Sequence, residues 1–234
     1  MNINLLTTDT PHHRLFINRL LKNFKSLSLT VIFEKKIFKC KYQYKFKSLE
    51  KRSIIFENKN IINNNDTYFC HYFINDINSS KVINYLKNKK NDLTIVYGTS
   101  KIINYNLLNF KYIFNLHGSD PQKYRGLDSN FWAIYHNDFN SFKVCLHKLD
   151  YNLDTGDIYK IMFIPVKRLK IQLYQYRYYS SFISNKLVNK LINDFSIRKI
   201  KLRKQSLTGR YYGPMPTDLK KICLHKYNKF LSNV

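Results

Sequence analysis

The chain has 234 residues, enough for one domain with its own hydrophobic core and a modest addition. Hydrophobic residues make up 44% of the sequence, which excludes wholesale disorder, and no uninterrupted apolar stretch is long enough to cross a bilayer. Residues 1–4 lack the basic and apolar regions of a secretory signal. We therefore expect a soluble, cytoplasmic protein with no membrane partner.

The net charge of +25 has two interpretations. A basic surface is typical of nucleic-acid binding, and it also attracts small anionic substrates. The excess, however, is mainly Lys spread along nearly the whole chain. The chain is rich in Lys, Asn, Ile, Tyr and Phe at the same time. This composition is typical of an AT-rich genome, which encodes these residues at surface positions that tolerate many side chains. A solvated surface set by composition is therefore favoured, and no nucleic-acid partner is expected.

The cysteines are too widely separated to form a local metal or redox motif. None of them forms a C-x-x-C pair: they are Cys40, Cys70, Cys145 and Cys223. The spacing predicts reduced thiols and neither a zinc knuckle nor a redox dithiol.

The first half of the chain predicts an α/β fold. Strands are predicted over residues 2–7, 29–33, 67–74, 93–97 and 112–114. Thr10 and Pro11 favour a helix start ahead of an apolar-periodic run, and a second helix is predicted over residues 80–89. Residues 34–65, rich in Lys and Asn, and the connection at Leu107 and Leu108 predict only loops and helix fragments. Alternating strands and helices indicate a Rossmann-like, mostly parallel sheet with ligands at the carboxyl ends of its strands.

The pattern changes after Pro165. Apolar residues recur at helical spacing from Leu173 to Ile192 and predict a long amphipathic helix, whose aromatic stripe is core or dimer interface. Residues 197–202 and 210–212 then predict a β-hairpin. We therefore divide the chain into a catalytic domain, residues 1–165, and a small C-terminal helix plus hairpin, residues 166–234, with a dimerisation role.

The most informative block runs over residues 114–158. Asn115 and His117 are two residues apart at the end of a predicted strand, so their side chains share one face. By themselves they could be a hydrogen-bonded polar pair of the core. The block, however, reads N-x-H-x-S, then Y-R-G, W-A-I and L-D-T-G-D-I. This ordered set resembles the 10-formyl-folate-dependent formyltransferases, and residues 93–103 resemble them more loosely.

The resemblance implies the formyltransferase fold and a catalytic trio of Asn115, His117 and Asp154. The Asn115 amide would donate to the developing oxyanion, and His117 would move protons between the attacking amine and the departing nitrogen. Asp154 would favour the charged imidazole. The formyl donor would be 10-formyltetrahydrofolate, released as tetrahydrofolate, and no metal is implied. Asp157 is expected to be a loop or capping residue.

The same resemblance implies two walls of a folate pocket. The first follows a predicted strand and holds the pterin through backbone and apolar groups: Gly98, Ser100, Lys101, Ile102 and Ile103. The second spans Asp150 to Leu153. His147 has two open interpretations, support for the trio or a plain strand histidine, and His136 is expected at the surface.

The flanking motifs resemble the short sugar N-formyltransferases, which are usually dimeric and act on nucleotide-linked, typically dTDP-linked, amino sugars. These motifs are T-P-H-H-R, H-G-S-D-P-x-x-Y-R-G-L-D-S-x-x-W-A-I-Y-H and G-R-Y-Y-x-x-M-P. They imply a homodimer and these substrate-binding residues: His12, His13, Arg14, Asp120, Tyr124 and Arg125. For His12 and His13 a solvated helix entry is an equally open interpretation.

Two alternatives stay open. The first is a methionyl-tRNA formyltransferase with a minimised C-terminal domain, favoured only by the charge. The second is a catalytically silent formyltransferase-like binding module, which the complete Asn/His/Asp set argues against.

Overall fold

The computed structural model describes residues 1–35, 40–61, 70–88, 92–104, 106 and 111–233. Its strands are β1 Asn2–Thr8, β2 Ser28–Glu34, β3 Cys70–Ile74, β4 Leu93–Tyr97, β5 Ile113–His117, β6 Tyr124–Gly126, β7 Lys143–Lys148, β8 Ile158–Phe163 and β9 Arg210–Tyr212. Seven of them form one sheet in the order β3-β2-β1-β4-β5-β7-β8. The first five are parallel, while β7 and β8 are antiparallel to their neighbours. The predicted Rossmann-like, mostly parallel sheet is confirmed.

Helices cover both faces of this sheet. They are α1 Pro11–Asn23, α2 Lys47–Lys59, α3 Ser80–Asn88, α4 Ser129–Tyr135, α5 Tyr176–Ser196 and α6 Thr217–Ser232. Alternate residues of a buried strand point to opposite faces, so Leu5 lies in the core beneath α1 and α5. Its neighbour Leu6 lies in the smaller core beneath α3. Among the helices within the described ranges, none is long and apolar enough to cross a membrane.

Most of the predicted elements of the first half are present. Thr10 is the N-cap of α1 and Pro11 its first residue, as expected. Residues 67–69 and Lys89, which the sequence assigned to a strand and a helix, and the connection at Leu107 and Leu108 lie outside the described residues.

One helix of the first half is longer than predicted. Within residues 34–65, where the sequence predicted loops and helix fragments, α2 is a continuous helix of 13 residues. It buries only Leu49, Ser53 and Glu57, so its outward face is polar and rich in Lys. Residues 36–39 and 62–65 lie outside the described residues.

The predicted C-terminal hairpin is wrong. Strand β9 pairs in parallel with β6, and residues 197–202 form no strand. The reason is close backbone approach at two glycines. A Cβ on Gly209 would collide with the backbone at Pro121 and Lys123, and one on Gly126 would collide with Tyr212 O. An alternation of apolar and polar side chains predicts an extended segment, but it does not predict the strand with which that segment pairs.

The segment after residue 165 packs into the main core. Leu187, Val188 and Leu191 of α5 are buried in the same cluster as Leu5 of β1, and α6 adds Tyr227, whose hydroxyl donates to Ile171 O at 2.8 Å. Most of the apolar face predicted on α5 is used in this way. Tyr176, Ile183 and Leu187 are buried, Tyr179 is half-buried, and Phe182 remains 40% exposed.

Candidate active site

Strand β5 brings the predicted trio together at its carboxyl end. Asn115 and His117 share one face of the strand, as their spacing predicts. The Asn115 amide nitrogen donates to Asp154 Oδ1 at 3.1 Å, and His117 Nδ1 lies 3.4 Å from Asp154 Oδ2. Asp154 comes from the loop between β7 and β8. The structure therefore brings Asn115 and His117 into contact with Asp154 at an edge of the sheet where α/β folds bind ligands.

Asp154 is a buried carboxylate held in a constrained backbone. Its φ is 56°, in the left-handed region that disfavours residues with a side chain. Burial by itself raises the pKa of Asp154. The charges of His117 and His147 and the hydrogen bond from Gly126 N, at 2.9 Å, outweigh that effect and hold the pKa well below its ordinary value. Asp154 is therefore an anion at neutral pH.

The contacts of His117 assign a role to each ring nitrogen. Its Nε2 lies 2.7 Å from Tyr124 O, and a carbonyl oxygen only accepts, so Nε2 carries a hydrogen. The other nitrogen, Nδ1, faces Asp154. A second proton on this imidazole would thus sit at Nδ1, against a carboxylate. Burial raises the pKa of Tyr124 to about 12, so that phenol stays neutral at physiological pH.

His147 supports the same cluster. Its Nδ1 lies 2.8 Å from Lys148 O and must donate there. In the neutral ring Nε2 is then an acceptor, and it lies 3.2 Å from the Asn115 amide nitrogen and 3.5 Å from Asp154 Oδ1. Of the two interpretations of His147, these contacts favour support for the trio. They also direct both Asn115 amide hydrogens to protein acceptors. His136 is exposed, as expected, and stacks on the Tyr124 ring.

The predicted folate loop follows β4. Gly98 begins it with φ at 67°, and an added Cβ would collide with the His13 ring. Beyond it, Ile103 is buried, whereas Ile102 is 63% exposed. Several backbone groups of this loop are already bonded within the protein, including Ile102 O, which accepts from Asn78 Nδ2 at 2.9 Å. The exposed apolar side chain of Ile102 is the surface that the loop offers to solvent.

Glu34, a residue that the sequence analysis missed, holds this loop from behind. It ends β2 and is buried. Its Oε2 accepts hydrogen bonds from Ser100 N and Ser100 Oγ, both at 2.7 Å, and from Lys101 N at 3.3 Å. Its Oε1 accepts from Ile77 N at 3.2 Å. The sequence offered one indication of this residue, an acidic side chain at the end of the second strand. In related α/β folds an acidic residue at this position binds the ligand, whereas Glu34 binds the protein's own loop.

The second predicted wall of the folate pocket is tied to the trio through the backbone. Leu153 O accepts from Arg125 Nη1 at 3.1 Å, next to Asp154. Asp150 is exposed, and its carboxylate accepts from Tyr151 N at 2.7 Å. On the first wall, Lys101 forms an exposed ion pair with Asp76 at 2.6 Å.

The six predicted substrate-binding residues fall into two groups. Tyr124 and Arg125 belong to β6 and contact His117 and the Asp154 loop directly. Asp120 begins the turn before β6, is buried, and pairs with Lys143 at 3.1 Å.

The other group lies beyond the end of β1, two strands from β5. His13 is buried, with Nδ1 2.8 Å from Thr8 O, and the His12 ring lies against it with ring centroids 4.1 Å apart and the ring planes tilted by 50°. Arg14 is more exposed and forms a bidentate pair with Asp9 at 2.6 and 2.8 Å. Arg14 and Asp9 are exposed, whereas His12 is half-buried.

Comparisons with known proteins support the fold and stop short of a family assignment by sequence. No protein-family model matches the chain, and no curated protein matches it. Solved structures do. A 4-N formyltransferase from Francisella tularensis superposes with a TM-score of 0.61 at 16% identity, over 91% of this chain and 76% of that one.

Two further structures carry bound molecules. The formyltransferase PseJ from Anoxybacillus kamchatkensis, in complex with UDP-4,6-dideoxy-4-formamido-L-AltNAc and tetrahydrofolate, superposes with a TM-score of 0.57 at 21% identity, over 94% of this chain and 89% of that one. An N-formyltransferase from Helicobacter canadensis, in complex with folinic acid and dTDP-3-aminofucose, superposes with a TM-score of 0.55 at 17% identity, over 91% and 70%. The chain therefore has the formyltransferase fold.

Proposed function

We propose that this chain is a sugar N-formyltransferase, an enzyme that moves a formyl group from 10-formyltetrahydrofolate to the amino group of a nucleotide-linked amino sugar. The observation that carries the proposal is the convergence of Asn115, His117 and Asp154 at the end of β5, within a formyltransferase fold. The set matches the chemistry: an amide donor, an imidazole with one nitrogen free to take a proton, and a carboxylate that stabilises the protonated ring.

His117 is the proton carrier in this proposal. 10-Formyltetrahydrofolate supplies, when bound, a formyl group on a nitrogen that departs as an amine, so that the products are an N-formyl sugar and tetrahydrofolate. His117 Nδ1 takes the proton that the attacking amine releases, because Nε2 already carries a hydrogen toward Tyr124 O. Asp154 stabilises the imidazolium, and His117 then returns the proton to the departing nitrogen.

Asn115 is the hydrogen-bond donor to the oxygen of the formyl group. Both of its amide hydrogens are directed at Asp154 and His147 before substrate arrives. Donation to the developing oxyanion therefore requires that one bond be exchanged, and the longer one, to His147 at 3.2 Å, is the better candidate.

The nucleotide part of the substrate is assigned to the end of β1. His12 and Arg14 can donate to phosphate oxygens at the start of α1, where the helix dipole also favours an anion. Complexes with the same fold carry UDP-linked and dTDP-linked sugars. We expect dTDP as the nucleotide, as the sequence motifs imply. The cytoplasmic location expected from the sequence remains a prediction.

Self-association into a dimer is part of the proposal. The exposed apolar residues of the C-terminal segment include Ile197, Leu207 and Tyr211, which are 58%, 68% and 54% exposed. A second copy of the chain, related by a two-fold axis, is the commonest partner for such a surface. Asn115, His117 and Asp154 all come from one chain, so each subunit keeps its own catalytic trio.

A second candidate, formylation of methionyl-tRNA, is favoured only by the charge of +25. The deciding experiment incubates the protein with 10-formyltetrahydrofolate and a panel of dTDP- and UDP-linked amino sugars, with methionyl-tRNA in a parallel reaction. Mass spectrometry of the sugars should find the mass of one added formyl group. Formylation of methionyl-tRNA alone would replace the proposal with this second candidate.

A further inference from the structure

The segment after α5 reaches back to the catalytic trio. Residues 203–210, here called the strap, cross two loops: the loop of residues 153–158 that carries Asp154, and the turn of residues 121–126 that supplies Tyr124 O and Gly126 N. Arg203 and Ile158 exchange two backbone hydrogen bonds, at 2.8 and 2.9 Å. On the other loop, Gly209 N donates to Pro121 O at 3.1 Å and Arg210 N to Lys123 O at 3.2 Å.

Gln205 makes the most specific contact of the strap. Its Nε2 donates to Asp154 O and to Gly156 O, both at 2.9 Å, so both amide hydrogens bond to the backbone on either side of Thr155. Asp154 itself is in the left-handed conformation, with φ at 56°. Such a conformation costs free energy and persists where surrounding contacts hold it. The two bonds from Gln205 are contacts of this kind.

The strap also joins the two loops to each other. Ser206 donates through N and Oγ to Gln122 Oε1, at 3.0 and 2.8 Å. Arg125 donates through Nε to Gly209 O at 2.6 Å and through Nη1 to Leu153 O at 3.1 Å. The bond from Gly126 N to Asp154 Oδ2 and the bond from His117 to Tyr124 O therefore span elements that the strap fixes.

We infer that Gln205 is a positioning residue for formyl transfer, acting through the backbone of Asp154, and that the strap is needed to assemble the active site. The inference rests on the proposed function. It also means that residues 1–165, predicted to be the catalytic domain, lack a part of the catalytic apparatus.

The activity test compares Gln205→Ala, Gln205→Glu and, as matched control, Lys204→Ala, a neighbouring exposed residue of the strap. Gln205→Glu keeps the shape of the side chain but replaces the amide donor Nε2 with a carboxylate oxygen, which would face the carbonyl oxygens of Asp154 and Gly156. Both Gln205 variants should lower kcat by about tenfold to a hundredfold with little change in the KM for the folate, since misplacement of a catalytic group costs turnover rather than binding. Lys204→Ala should retain wild-type kcat. Wild-type kcat in a folded Gln205→Glu variant would overturn the inference.

Hydrogen exchange gives a readout independent of activity. In the wild type, residues 121–126, 153–158 and 203–210 should lose protection together, as one cooperative unit. In Gln205→Ala, exchange in residues 121–126 and 153–158 should rise while β1 and β4 are unchanged. Independent exchange of the three wild-type segments would overturn the inference even if both variants failed to fold. A wild type without formyl transfer to any amine would refute the proposed function, but it would leave this exchange test intact.

Discussion

His117 Nδ1 lies 3.4 Å from Asp154 Oδ2, and the opposite ring nitrogen of His117 is committed to Tyr124 O at 2.7 Å. The imidazole is therefore fixed at one end and can gain or lose a proton only at the other. The proton that it gains is held against an anion whose pKa lies below its ordinary value. The ring therefore has one nitrogen that keeps its hydrogen and one that can exchange a proton. The proposed transfer of a proton from the attacking amine to the departing folate nitrogen requires such an arrangement.

Replacing His117 with Asn should abolish proton transfer while preserving shape. We expect kcat to fall by about two to four orders of magnitude, because an amide cannot hold a proton at the position of Nδ1. Folate binding should stay within about twofold, since the folate loop follows a different strand. Single-turnover kinetics and equilibrium binding of tetrahydrofolate measure the two effects separately. Equal loss of both would show that His117 holds the site together instead.

Asp154→Asn should change how stability depends on pH. The folded-state pKa of Asp154 is below the ordinary 3.8, so its carboxylate stabilises the fold fully above about pH 4. That contribution is lost as the pH falls below 3.8 toward the lower folded-state pKa. Urea unfolding of the wild type and the variant between pH 6 and pH 3 should therefore show their difference in free energy shrinking at the acidic end. Asp157→Asn, on the same loop, is the control variant. A constant difference for Asp154→Asn would contradict the prediction.

Glu34→Gln should weaken folate binding without touching the trio. The variant places an amide where a carboxylate oxygen now accepts three bonds from Ser100 and Lys101. Loss of charged hydrogen bonds at a buried site predicts a Kd for tetrahydrofolate about ten- to a hundredfold weaker. Asp76→Asn removes only the exposed pair with Lys101 and should change the Kd by less than about fivefold. Similar effects in the two variants would argue against a special role for Glu34.

The positive charge should give weak and salt-sensitive contact with nucleic acid. If the Lys excess is only compositional, tRNA binding should be non-specific and disappear at moderate salt, because it depends on counterion release. Electrophoretic mobility assays with initiator and elongator tRNA across a salt series measure this. Binding that persists at moderate salt and distinguishes the two tRNAs would favour the second candidate function, formylation of methionyl-tRNA.

The dimer should appear in light scattering across a wide range of concentrations. Tyr211→Asp, which puts a charge on the exposed apolar surface, should shift the protein toward monomer, because burying an unpaired carboxylate is costly. Lys204→Asp, also exposed but without an apolar side chain, should leave the association unchanged. A wild type that is monomeric at every concentration would refute the dimer.

The sequence predicted that Asn115, His117 and Asp154 lie together, because the three belong to one ordered motif. It could not predict the residues that hold the trio, because their partners are remote in the chain. Glu34 lies 66 residues before Ser100, and Gln205 lies 51 residues after Asp154. Side-chain periodicity is local, so neither pairing leaves a pattern. The pairing of β9 with β6 was missed for the same reason, while β2 and β4 were found because buried strands are rich in β-branched and aromatic residues.

The parallel pairing of β6 with β9 bears on when the protein becomes competent during synthesis. A ribosome delivers Asn115, His117 and Asp154 well before residues 203–210 emerge, and β6 stays without its sheet partner until then. A two-stranded ribbon cannot form from one strand, so the turn that supplies Tyr124 O and Gly126 N waits for the strap. Nascent chains stalled before residue 203 would then hold Asn115, His117 and Asp154 without the hydrogen bonds that the strap makes to both loops.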